Sequence, residues 1–349
     1  MKPVPARSPW ERPAAMGGAV LILISALAGF VWPGAAAPAF RLAAVICFQP
    51  AIGCLIFLLI HHLTGGQWGE ALSPMLRAGT RLVPWVWPVL GLVSIWHWSR
   101  PDLPLLPDAR AMPSFLVVGL RAIAYELMLI GICRVALKPG WEGYAGPALI
   151  GVVFGGHFLV ADTFFVLEPG WYSSAFPVVW MAISAAAGFG LALVCSITGG
   201  LRAEKPGSSN RAIGLDGGNL LLTAVIFSTY VAFMEFLITW SGNLPHEISW
   251  FHRRVQGGWA VVTVALAFTH LAFPFVFLLS RNVKKHSGRL RAVALLVCGA
   301  DTLWAVWFVV PPFADRGPWL APLCGVCGLG AAALFVVRYV QLSREGAGT

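Results

Sequence analysis

Apolar residues along this chain come in long runs, not in strict alternation and not in short one-sided stripes. The first run covers 16–32, and others of similar length lie at about 40–63, 81–98, 113–137, 146–167, 174–199, 219–240, 257–280, 291–313 and 319–341. Each approaches the ~20 residues a helix needs to cross a hydrocarbon layer. A helix is also the only open-ended structure that satisfies its own backbone there. The pattern predicts an all-α integral membrane protein of about ten transmembrane helices. The third run is the weakest, being short and containing Pro84 and Pro88.

The polar stretches divide the runs. Residues 1–15, with Lys2, Arg7 and Arg12, read as an N-terminal tail, and 342–349 as a C-terminal one. The GAAAPA after the first run resembles a signal-peptide cleavage site. That run is long for a signal sequence, however, and everything downstream is apolar too, so it reads as a first transmembrane helix. Between the second and third runs, Trp68, Leu72, Met75 and Leu76 recur at helical spacing and predict an amphipathic helix lying in the membrane interface. The stretch 201–218, rich in Gly, Ser and charge, reads as a linker between six helices (16–200) and four (219–341).

Composition agrees: 58% of the 349 residues are hydrophobic and 11% charged, against roughly 25% charged in soluble domains. Mean hydropathy is +0.76. The net charge of +9 would suit nucleic acid, but no basic run with interleaved aromatics supports that partner. The charge follows the alternation of the runs instead. Seventeen Lys and Arg fall on the N-terminal side and six, Arg41, Arg100, Arg110, Arg253, Arg254 and Arg316, on the other. The positive-inside rule then places both termini in the cytoplasm. The seven cysteines lie in or beside apolar runs, and the Cys324/Cys327 pair has no second ligand pair, so neither a disulfide framework nor a metal site is expected.

Ionisable groups inside the runs cost roughly 2.5–3.5 kcal/mol each and ask for a function. They are Arg121 and Glu126, His157 and Asp162, Glu235, His270, and Asp301. At ~1.5 Å per residue, Arg121 and Asp162 fall at similar depths on neighbouring antiparallel helices, where they can pair. Together the seven supply titratable groups at nearly every depth, as a proton path would need. For any one of them packing alone is the simpler reading; for the set, function is.

Three motifs go further. HHLTGGQWG (61–69), LEPGWYS (167–173) after Asp162, and WSGNLPHEISWFHRRVQGGW (240–259) resemble a quinone-associated membrane subunit of alternative complex III, a quinol:cytochrome c (or high-potential iron–sulfur protein) oxidoreductase. LAFPFVFLLSR (271–281) and the helix of Asp301 fit the same pattern. That component belongs with the NrfD-like polysulfide reductase membrane anchors, and the resemblance covers about residues 40–315. It implies ten helices with two four-helix bundles, a bacterial inner-membrane location, and no redox cofactor or metal held by this chain, which would not be catalytic alone. Haems and iron–sulfur clusters would sit in partner subunits on the outer side. Quinol or quinone would be the small molecule lined or served, with no residues assigned to it. Proton half-channels are implied, with Asp162 matching the acid before the LEP–WYS loop and Arg121 the arginine of the preceding helix. The chain departs from the pattern at Ala161 and Thr163, where aromatic residues flank that acid, and at His246, where an acid is usual. Two other readings stand beside it: a secondary transporter, which would show inverted repeats with broken helices, and a purely structural anchor for outer-face subunits.

Overall fold

The computed structural model describes residues 8–98, 115–168, 171–198, 212–315 and 317–347. Among them the chain is helical, with no strand. Six long helices come first: α1 (Glu11–Val31), α2 (Pro33–Thr64), α3 (Gln67–Trp98), α4 (Phe115–Leu137), α5 (Ala145–Phe164) and α6 (Phe176–Thr198). Then follow α7 (Gly217–Gly242), the short α8 (Pro245–Val255), and α9 (Gly258–Leu266), which a π turn at Ala267–Ala272 joins to α10 (Phe273–Leu279). The five-residue α11 (Arg281–Lys285), α12 (Ser287–Val309) and α13 (Leu320–Ala347) complete the chain. Nine helical stretches among the described residues, α9 and α10 counting as one, are long and apolar enough to cross a bilayer. The protein is an all-helical, multi-pass membrane protein.

Helix α2 is the hub. It packs along α3, α6 and α13 and touches α1, α4, α5 and α12. Its crossing with α6 is backbone on backbone: a Cβ on Gly53 would collide with the Ser184 carbonyl, and one on Gly188 with the backbone of Gly53 and Cys54. Small residues that let helices approach this closely are the usual means of association where no hydrophobic force acts between helices. Gly18 of α1 and Gly330 of α13 repeat the device. The same two helices are tied at the chain termini, where Arg344 pairs with Glu11 and donates to Ser8 Oγ at 2.8 Å. Outward, the bundle presents large apolar side chains, among them Phe30, Leu116, Leu127, Phe154, Val261 and Leu329. In water such a surface would be an aggregation liability; hydrocarbon covers it without cost.

Several boundaries differ from the sequence reading. α1 begins at Glu11, inside the expected 1–15 tail, because Glu11 is held by Arg344 and Gln341. α13 likewise runs to Ala347 through the expected 342–349 tail. α2 starts at Pro33, a residue suited to the first helical position, and the alanines after it are helical and buried. Arg41 therefore lies inside α2 and is fully buried. The expected interfacial helix and third span are one unbroken helix, α3. Leu72, Met75 and Leu76 pack into the core with α2 instead of lying on a membrane surface. At about 48 Å, α3 outreaches a ~30 Å hydrocarbon layer. Its first half carries Glu70, Arg77 and Arg81, and it is not among the nine apolar spans. The linker at 201–211, and Lys2, Arg7, Arg100, Arg110 and Arg316, lie outside the described residues; 212–216 form a π-helical turn leading into α7.

Candidate functional site

The end of the bundle far from the termini is closed by the α5–α6 connection and by α8. Asn243, in the left-handed conformation (φ 48°), ends α7, and Pro245 starts α8. α8 carries Trp250 and Arg254 one turn apart, both buried, while Arg253 points outward. Arg254 reaches Glu168 of the α5–α6 connection, Nη1 to Oε1, at 2.5 Å. Its other donors go to backbone carbonyls: Nε to Trp307 O at 2.9 Å, Nη1 to Trp250 O at 2.9 Å and Nη2 to Phe308 O at 3.2 Å. The guanidinium lies 3.8 Å from the Trp250 ring centroid, a cation–π contact. Trp250 in turn stacks on Trp171 with centroids 4.6 Å apart. Burial lowers Arg254 to about 10 while Glu168 opposes that shift, so it is a cation at neutral pH. Buried charges persist only when paired and hydrogen-bonded, and both conditions hold. This clamp joins the LEPGWYS stretch, the WFHRR stretch and the end of α12.

One to two turns inside the same end, Arg121 and Asp162 pair as the sequence predicts, Nη2 to Oδ1 at 2.7 Å. Tyr125, one turn after Arg121, donates to Asp162 Oδ2 at 2.7 Å. A small crevice beside this triad is lined by Trp87, Ser94, Ala122 and Tyr125. Behind it, Arg41 donates to Thr163 O at 2.6 Å; its Nε and Nη2 have no partner among the described residues.

The remaining five are held separately. Glu235 is buried on α7, within hydrogen-bonding reach of the Ser173 hydroxyl, which also caps α6 by accepting from the Phe176 amide at 3.0 Å. His270 sits in the π turn with Nε2 2.8 Å from Ser228 Oγ. Such turns often mark functional positions in helices. Asp301 is buried on α12 and accepts from Gln49 Nε2 at 3.0 Å. Glu126 Oε2 is buried with no partner among the described residues, and the half-buried His157 ring meets Phe158 edge-on. No hydrogen bond between described residues links any of these five to the next. The geometry gives one ion-paired triad and several locally satisfied acids and histidines.

Sequence reasoning missed Gln49, Tyr125, Ser228 and Ser173 as partners, and the Glu168–Arg254 pair. Tyr125 was findable, since residues four apart share a helix face; Gln49, as a lone amide in an apolar run, was a second signal. No group of three or more His, Cys, Asp or Glu capable of holding a metal occurs among the described residues. Helix packing and the two clusters define a polytopic all-α membrane protein with a charged, clamped end. Comparison with protein-family models and with curated proteins gives no match.

Proposed function

We propose that this chain is a membrane subunit, holding no redox cofactor of its own, of a quinol-oxidising respiratory complex of the alternative complex III type. On this reading α3 is a tenth transmembrane helix, the helices include two four-helix bundles, and both termini face the cytoplasm of a bacterial inner membrane. The observation that carries it is the Glu168–Arg254 clamp. It locks together the two stretches, 167–173 and 240–259, on which the family resemblance rests, and makes them one surface. That surface would receive the haem- and iron–sulfur-bearing subunits. The Arg121–Tyr125–Asp162 triad and buried Glu235 lie beneath it and supply titratable positions for a proton path beside a quinol site.

The purely structural reading draws on a different observation, that Asp301 and His270 are each bonded to a local partner, Gln49 and Ser228, and not to another of the candidate groups. Two measurements separate the readings. The tagged protein purified from native membranes should bring haem and iron–sulfur subunits with it; recovery as a lone protein overturns the proposal. In the purified complex, Asp162→Asn and Glu235→Gln should lower the protons moved per electron while leaving the subunits associated. An unchanged ratio in both variants leaves the structural reading standing.

A further inference from the structure

The end of the molecule that carries the termini has a concentration of positive charge with nothing to neutralise it among the described residues. Arg281, Lys285, Arg289 and Arg291 fall within eleven residues, the first two at the ends of α11 and the last two on the first turns of α12, and all four are exposed. The other arginines with ion partners are accounted for: Arg121 by Asp162, Arg253 and Arg254 by Glu168, Arg338 by Glu345 and Arg344 by Glu11. The four make no ion pair among the described residues. Lys284, between them, is buried and spent on Asn219, Nζ to Oδ1 at 2.5 Å. The turn Ala212–Asp216 packs against α11, yet exposed Asp216 pairs with none of the four.

The charge is bordered by an apolar wall. Phe273, Val276, Phe277 and Leu279 of α10 are exposed immediately before Arg281, and α10 packs against α7 and α12. On α12, Leu295 is exposed one turn beyond Arg291, on the same face. A ligand satisfying both features is anionic at one end and hydrocarbon at the other. From this we infer that the α10–α12 corner is a binding site for an anionic phospholipid, its phosphate held by Arg281, Lys285, Arg289 and Arg291 and its acyl chains laid along α10 and Leu295. Basic clusters at helix ends bind such headgroups through summed charge, and here the cluster and the acyl surface are contiguous. The inference is independent of the proposed respiratory role.

The test uses the detergent-purified protein, with whatever subunits accompany it, stripped of lipid and exposed to dioleoylphosphatidylglycerol or dioleoylphosphatidylcholine. The wild type should retain the phosphatidylglycerol preferentially after washing. Each cation removed should weaken that retention about fivefold, so Arg281→Gln/Lys285→Gln/Arg289→Gln/Arg291→Gln should fall to the phosphatidylcholine level. If that variant does not fold, the double Lys285→Gln/Arg289→Gln, which touches only exposed side chains, should lose most of the preference. Unchanged preference in the variant that folds overturns the site. So does an equal loss from Arg12→Gln/Arg134→Gln, two exposed cations elsewhere, since that would mean diffuse charge. Displacement of the lipid by inorganic phosphate alone would assign the corner to a free anion and overturn the lipid.

Discussion

Glu168 and Arg254, 86 residues apart in sequence, meet through a single 2.5 Å contact that has been taken out of solvent on both sides. The pair joins three helix ends at once, because the same guanidinium also binds the carbonyls of Trp307 and Phe308.

Arg254→Met should therefore be strongly destabilising. It leaves Glu168 buried with only Arg253, whose Nε is 3.6 Å from Oε2. Breaking one side of a buried pair costs about 3–5 kcal/mol. Thermal unfolding in detergent should show a lowered midpoint, and Glu168→Gln on the same background should restore part of it. A full-strength midpoint in the single variant would mean the clamp contributes nothing.

The Asp301–Gln49 bond makes an asymmetric prediction. Gln49→Leu strands a buried acid and should cost about 1–3 kcal/mol. Gln49→Leu with Asp301→Leu removes both partners and should come back toward the wild type. Equal instability of the single and double variants would contradict this.

The Arg121–Asp162 pair is more exposed, with side chains 39% and 29% accessible, so screening limits it. A double-mutant cycle with Arg121→Gln and Asp162→Asn should return a coupling of about 0.6–1.7 kcal/mol, the range found between membrane helices. Tyr125→Phe should reduce that coupling, since its hydroxyl bridges the pair.

Gly53→Ala should destabilise by about 1–3 kcal/mol, because the new methyl has no room against the Ser184 carbonyl. Gly131→Ala, where nothing lies within 4 Å, should be neutral or stabilising by about 0.5–1 kcal/mol. Comparing unfolding midpoints of the two variants checks how tightly α2 and α6 cross.

Much of the architecture was legible because apolar runs of bilayer length have few other uses. The α4–α7, α9–α10, α12 and α13 stretches fall close to the runs that announce them. Legibility failed where tertiary packing overrode a local pattern. The stripe of Leu72, Met75 and Leu76 looks the same whether it meets lipid or α2, and it meets α2. Charge counting assigns Arg41 only to the side opposite the termini, because no run of residues records that the Thr163 carbonyl will accept from it. In the candidate site, Arg121 and Asp162 were pairable from helix depth alone. Glu168 with Arg254 was not, since the pairing depends on how two connections fold over one another.

The π turn at Ala267–Ala272 has a last consequence, one of phase. An inserted residue rotates everything after it by about 100° relative to a regular helix. Before the turn, Leu266 faces the protein and Thr263 bonds Trp307 Nε1 at 2.8 Å. After it, Pro274 and Leu278 face inward and Phe277 and Leu279 face out. Deleting one residue from the turn would re-index α10, carry Leu278 into the lipid and swing Arg281 away from the corner it now occupies. The wide turn that places His270 against Ser228 is also what sets the azimuth of the basic corner beyond it.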